Sequence, residues 1–556
     1  MRHPDVILVN GLVTTMSESP EVPAEVQAVA VSGDRITAVG DTAEIEALAG
    51  PGTVRVDVGG RRVIPGLNDS HVHVVRAGRT WNDEVRWEDE KTLASALEAI
   101  RGRAAERPAG TWIRVIGGWD PRQFPEGRGP VQAELDAVAP DHPVYVQYLY
   151  NWAVLNSRAV AAMGIDEAVI AELGADHFEH TADGVLTGRV YGMPLMKWCY
   201  RHMTAPTFEE QVASTAAMCR ELNRLGVTGA LDGGGVNTGP EAYQPMYEAW
   251  RRGQLTVRTR LVVHASEAGR EHEELAGFRR FTPLDLGDDM LRVIGAGEII
   301  LYRSHDRISG VADVSPSARE EMRELFLGLA RSRWTVHMHA HQRETIEAVL
   351  DAWESVHAEV GIDGLRWALV HGEPLLPEDL PRLREMGAGL LTQALYRFQG
   401  DDAFQAWGRD RVAESPPFRR LLDAGVPVGL GSDAMRVATY NPFTNLAWYI
   451  TGKTIDGKDT LAPHNLLSRE EALRGYTATG AWFSFEENVR GRIEPGLQAD
   501  IAVLSEDYFT VPVERVPDLE SVLTLVGGKV VHAAPSLKGD RIEVAPTIAP
   551  VGVSRV

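Results

Sequence analysis

The chain has 556 residues, too many for one simple core, so several units or one large barrel with additions are expected. Hydrophobic residues at 44% and charged residues at 24% are ordinary globular composition, and a net charge of -22 disfavours non-specific binding to nucleic acid. Two cysteines, Cys199 and Cys219, exclude a disulfide framework and a cysteine-based zinc site.

The N-terminus, MRHPDVILVNGLVTTM, carries Asp5 and Asn10 where a signal peptide needs an apolar core, so a cytoplasmic protein is expected. No run of roughly 18 apolar residues suggests a membrane span. Residues 1–65 read as short strands rich in Val, Ile and Thr, with SGDR as a hairpin turn. The far end, 489–556, reads the same way in ADIAVLSED and VLTLVGGKVVHAAP. Both ends are expected to build one small β-sandwich.

Between them, residues 66–488 alternate apolar runs with amphipathic helical stretches, as in RWTVHMHAH followed by RETIEAVLDAWESV. That alternation predicts a parallel sheet of the (β/α)8 barrel type, which needs ~250 residues and leaves room for insertions. The segment at about 80–201, rich in Trp, Tyr and Pro, is expected to be a loop-rich insertion above the barrel.

The first chemical signal is VIPGLNDSHVHV. Alternate residues of a strand face the same side, so His71 and His73 point together and can bind one divalent ion. A bare His-x-His also occurs as a packed pair, but here it ends an apolar strand after Pro-Gly. His339 in TVHMHAHQ and His371 in RWALVHGE end later strands; His337, His339 and His341 share a face, and His339 is preferred on its register into the next helix. Asp433 in VPVGLGSDAM sits where a late barrel strand ends, the place of catalytic side chains in such barrels.

PGLNDSHVH, GWDPRQF, the segment ending LNSRAV, GRIEPGLQADIAVL and GGKVVH together resemble the amidohydrolase superfamily, within it the amidohydrolase-3 or YtcJ-like branch, over nearly the whole chain. The resemblance implies a distorted barrel with a terminal β-sandwich, metal ligands His71, His73, His339 and His371, and Asp433 as a metal-linked proton shuttle. Many relatives carry a carboxylated lysine at the end of the fourth strand. The matching stretch here, MLRVIGAGEIILY, has none, and Glu298 stands in that place. Glu298 either bridges two ions or supports a single one. Asn151 stands where many relatives have a histidine, which bears on substrate contacts.

The expected cofactor is a divalent metal, zinc first, as one or two ions per chain. The expected reaction is hydrolysis of a non-peptide C–N bond of amide, N-acyl or N-formyl type, with Asp433 as base and then acid. The alternatives are deamination of an aminoheterocycle and a catalytically silent metal-binding or regulatory protein on the same fold. Tyr302, Arg303 and His305 after the fourth strand, with Trp119 and Asn151 in the insertion, are candidate substrate contacts, although Trp81, Trp119 and Trp152 also suit core or lid packing. The expected partner is a small molecule, with no nucleic acid or membrane and a homodimer as the family-level assembly.

Overall fold

The computed structural model describes residues 3–235, 238–284, 286–537 and 543–545, so much of the segment after Leu537 lies outside the described residues. Eight strands run side by side in one sheet: β1 Leu67–Val72, β2 Val227–Asp232, β3 Arg258–Val263, β4 Leu291–Glu298, β5 Thr335–Ala340, β6 Ala368–His371, β7 Gly389–Gln393 and β8 Val428–Gly431. Every neighbouring pair in this order is parallel. Their near-continuous burial is what a parallel sheet covered by helices demands of its sequence.

The ring closes between β8 and β1. The Ser432 and Asp433 amides donate to the His71 carbonyl at 3.2 and 2.8 Å, and the His73 amide donates to the Ala434 carbonyl at 3.1 Å. The Asp69 carboxylate accepts from the Ser432 and His71 amides at 3.0 and 3.2 Å, so one buried side chain ties both edges together. Leu231, Val262, Ile294, Val370, Leu391 and Phe483 pack against one another as a core cluster of their own. Deeper toward the strand N-termini, buried Arg260 and Arg490 share the carboxylate of Glu486.

The chain ends form two further sheets. Arg35–Gly40, Ala28–Ser32, Val6–Val9 and Val54–Asp57 make one; the other joins Leu12–Thr14, Glu25–Val26 and Arg62–Pro65 to Ile501–Leu504, Ser521–Val526 and Lys529–Ala533. Leu8, Val29, Val31 and Val56 pack with Val63, Ile501, Val503 and Leu523 in one core drawn from both ends of the chain.

The segment between β1 and β2 is more regular than its composition suggests. It contains a five-stranded mixed sheet, Ile113–Val115, Val144–Tyr148, Trp152–Leu155, Leu186–Tyr191 and Phe178–His180, with helices such as Leu93–Glu106 and Ser157–Met163. Trp87, Trp119 and Phe124 are buried together in its own core. Among the described residues no helix is long and apolar enough to cross a membrane.

Candidate metal centre

Glu298 ends β4 and lies 7% exposed among the histidines. Its Oε2 is 3.2 Å from His71 Nε2 and 3.8 Å from His339 Nδ1, and its Oε1 is 3.8 Å from His73 Nε2. One carboxylate therefore reaches imidazoles on β1 and β5 across the barrel mouth. His71, His73 and Asp433 form one group of ligand atoms lying within 4.8 Å of one another, and His339, His341 and His371 form a second. All six residues are buried.

Second partners fix which nitrogen of His73, His339 and His341 faces inward. His73 Nδ1–H donates to the Gly234 carbonyl at 2.9 Å, leaving Nε2 toward Asp433 Oδ1 at 3.0 Å. His339 uses Nε2–H on the Asp306 carbonyl at 3.0 Å, leaving Nδ1 toward His371 Nε2 at 3.1 Å. His341 Nδ1 lies 2.9 Å from Glu373 Oε2, and the His341 ring stacks on His371 at 4.0 Å. A carboxylate or carbonyl behind an imidazole, as here for His73, His339 and His341, is the usual support of a metal ligand. His371 and Asp433 hold positive φ, 74° and 55°, a strained backbone for residues other than glycine that concentrates at working sites.

The donors fit a cation. Both ring nitrogens of His71 and Nδ1 of His371 are buried without a hydrogen-bond partner among the described residues, an arrangement that costs free energy unless something else is bound. Burial opposes ionisation of Glu298, yet His339, His71 and His73 hold it well below the usual carboxylate range. Burial also opposes a charged His339, yet Asp306 and Glu298 push it up to about 10. The carboxylates thus draw positive charge into the site, and imidazole with carboxylate is the donor set of zinc and related ions.

His337 stands apart. Both of its nitrogens are buried without partners, and burial followed by the nearby His71 lowers it to about 3, the state of a neutral ring packed in the interior. His339 is the β5 histidine beside Glu298, with His341 joining it in the same group.

A cavity of about 160 Å³ opens over the centre, lined by His73, Glu298, His339, His371 and Asp433 and, above them, by Tyr150, Asn151, Met193, His305 and Leu395. Of the expected substrate contacts, Asn151 and His305 are there. Trp119 is not: it is buried against Trp87 at 4.9 Å and donates to the Gln147 carbonyl at 2.8 Å. Tyr302 turns away to hydrogen-bond the Ala265 carbonyl at 3.0 Å, and Arg303 is exposed, 3.2 Å from Asp313. Trp81 and Trp152 also pack outside it, against Tyr440 and Tyr148.

Sequence reasoning missed Asp306 and Glu373. Asp306 accepts the His341 amide at 2.9 Å and the Gln342 amide at 2.7 Å while holding His339. Its signal, an aspartate beside a histidine in HDRIS, is also that of a solvated loop.

A family model described as the amidohydrolase family matches residues 55–532. The N-substituted formamide deformylase of Arthrobacter pascens is 25% identical over 543 residues, spanning 94% of this chain and 97% of its own. Of the solved structures, an uncharacterized metal-dependent hydrolase from Pyrococcus horikoshii OT3 superposes with a TM-score of 0.67 at 19% identity, covering 92% of this chain and 99% of that one. An adenosine deaminase from Xanthomonas campestris with bound zinc does so with a TM-score of 0.52 at 14% identity, covering 97% and 95%. With the family match running from the sandwich through every barrel strand, the chain belongs to the amidohydrolase family of hydrolases acting on carbon–nitrogen bonds.

Proposed function

We propose that this chain hydrolyses a non-peptide amide, of N-formyl or small N-acyl type, at a centre where His71 and His73 on one side, His339 and His371 on the other, and Glu298 lying between the two pairs would hold one or two divalent ions. The observation that carries the reading is the span of Glu298 across both histidine groups, beneath a cavity sized for a small molecule. Zinc suits the nitrogen-rich donors. A divalent ion held by these residues would supply Lewis acidity and make a nearby water far more acidic than bulk water, so that hydroxide is available at neutral pH.

The chain's own groups do the rest. Asp433, whose Oδ1 lies 3.0 Å from the metal-facing Nε2 of His73, accepts the water proton and returns it to the leaving nitrogen. His305 lines the cavity with its ring 3.9 Å from that of His339; burial first, and then His339, lowers it to about 3, so it acts as a neutral hydrogen-bonding group toward the substrate carbonyl. Leu395 and Met193 exclude bulk water beside the polar Asn151 and Tyr150. The low similarity to a formamide deformylase supports the choice of a formyl or short acyl group. Free, buried Cys199 and Cys219 support a reducing, cytoplasmic setting.

The test is turnover of a panel of N-formyl and N-acyl amines by zinc-loaded and chelator-treated protein, assaying released acid, amine and ammonia, with metals counted per chain by elemental analysis. Acid and amine release that disappears on chelation is the expected result. Ammonia release from aminoheterocycles alone would move the assignment to deamination, and turnover indifferent to chelation would end it.

A further inference from the structure

Beside the catalytic cavity lies a second one of about 440 Å³ that shares a single wall residue with it, Arg76. Five arginines line it: Arg76 and Arg79 from the segment after β1, Arg114 from the inserted sheet, Arg201, and Arg436 from the loop after β8. In a chain of net charge -22 such an island of positive charge is out of character. Among the described residues its only lining carboxylates are Glu241 and Glu267, both exposed.

The guanidinium groups are poorly compensated. Among the described residues Arg76, Arg79 and Arg436 have no carboxylate within ion-pair distance, and Arg114 has only Asp83 at 3.7 Å. Arg436 is 9% exposed, stacks over the Tyr200 ring at 4.2 Å and leaves its buried Nη1 without a partner. Arg79 spends its Nε–H on Gln211 at 2.9 Å, and Arg76 donates to the Tyr150 hydroxyl at 3.3 Å, on the wall of the catalytic cavity. Burial first, then repulsion from Arg436 and Arg114, lowers Arg79. Buried like charges with idle donors are unfavourable alone and become favourable around an anion, and the planar fork of arginine matches carboxylate or phosphate oxygens.

We propose that this arginine-lined cavity is a second binding site, specific for a small carboxylate- or phosphate-bearing anion held between Arg79, Arg114 and Arg436. The probe is inorganic phosphate, titrated calorimetrically into the zinc-loaded and the metal-stripped protein. The expected result is one phosphate per chain in both forms, with affinity reduced about tenfold in Arg79→Gln and in Arg436→Gln, the equivalent of one lost charge-assisted hydrogen bond. Should Arg436→Gln fail to fold, the half-buried Arg79→Gln decides alone. No binding, binding unchanged in Arg79→Gln, or binding that vanishes on metal stripping would overturn the site. The source of the anion is read separately, in the one arm that rests on the proposed hydrolysis. A KM raised in Arg79→Gln only for N-formyl substrates bearing a carboxylate identifies the substrate's own tail; an unchanged KM with weakened phosphate binding identifies a separate anion.

Discussion

Asp433 and His73 meet at 3.0 Å although 360 positions separate them, and in the proposed mechanism Asp433 is the group whose loss interrupts proton transfer. Asp433→Asn keeps the shape and removes the proton acceptor. The expected outcome is a kcat lower by about 10²- to 10⁴-fold with metal content retained, measured by steady-state kinetics and elemental analysis on the same sample. Near-normal turnover would remove Asp433 from the proposed role. Asp306 acts through His339 instead. Asp306→Asn keeps the carbonyl contact but removes the carboxylate charge 3.3 Å from His339 Nε2, so metal affinity is expected to fall about 10- to 100-fold in a chelator competition, and excess zinc should restore much of the rate. The two residues also differ in how far they were legible. Asp433 follows an apolar run in a barrel whose strands end at the chemistry, so position alone marked it. Asp306 lies in a loop, and its partner stands 33 residues further on in another strand, a relation no local pattern carries. Trp119 misled for a related reason: an aromatic side chain announces burial, not the cavity or core into which it goes.

At the level of elements, the inserted sheet and the base of the barrel make separate demands on the sequence. Trp119 packs between Trp87 and Phe124 and hydrogen-bonds Gln147, so it holds the insertion together. Trp119→Ala is expected to lower stability by about 3–5 kcal/mol in urea titrations while leaving the KM of the folded enzyme unchanged, because the side chain does not reach the cavity. A raised KM with undiminished stability would return Trp119 to the substrate site. At the base of the barrel, burial opposes ionisation of Glu486, but Arg260 and Arg490 hold it down to about 2. An unfolded glutamate titrates near ~4.3, so the folded value is depressed. The stabilisation is therefore complete above ~4.3 and is lost as the pH falls toward about 2. Glu486→Gln should cost about 3–5 kcal/mol at neutral pH by leaving buried arginines unpaired. Its deficit relative to wild type should shrink across that acidic window. A deficit independent of pH would mean that packing, not charge, is what Glu486 contributes. The alternation that announced the barrel was plain because parallel strands are buried on both faces. The insertion's sheet was hidden because its strands are short and its turns are rich in Gly and Pro.

Across the whole molecule, the candidate centre is assembled from β1, β4, β5, β6 and the loop after β8, so the proposed ligands are brought together only by the complete ring. A metal that bridges these strands binds the folded chain and not the unfolded one, and therefore adds RT ln(1 + [L]/Kd) to stability, about 4 kcal/mol at a thousandfold excess over Kd. Zinc is accordingly expected to raise the unfolding temperature of the stripped protein, and to raise it less in His71→Ala, where the β1 side of the centre has lost an imidazole. The same comparison in Arg79→Gln, outside the centre, should reproduce the full wild-type shift. An unfolding temperature that ignores zinc in the wild type, or a shift as large in His71→Ala, would mean that the converged histidines hold no ion that spans the barrel.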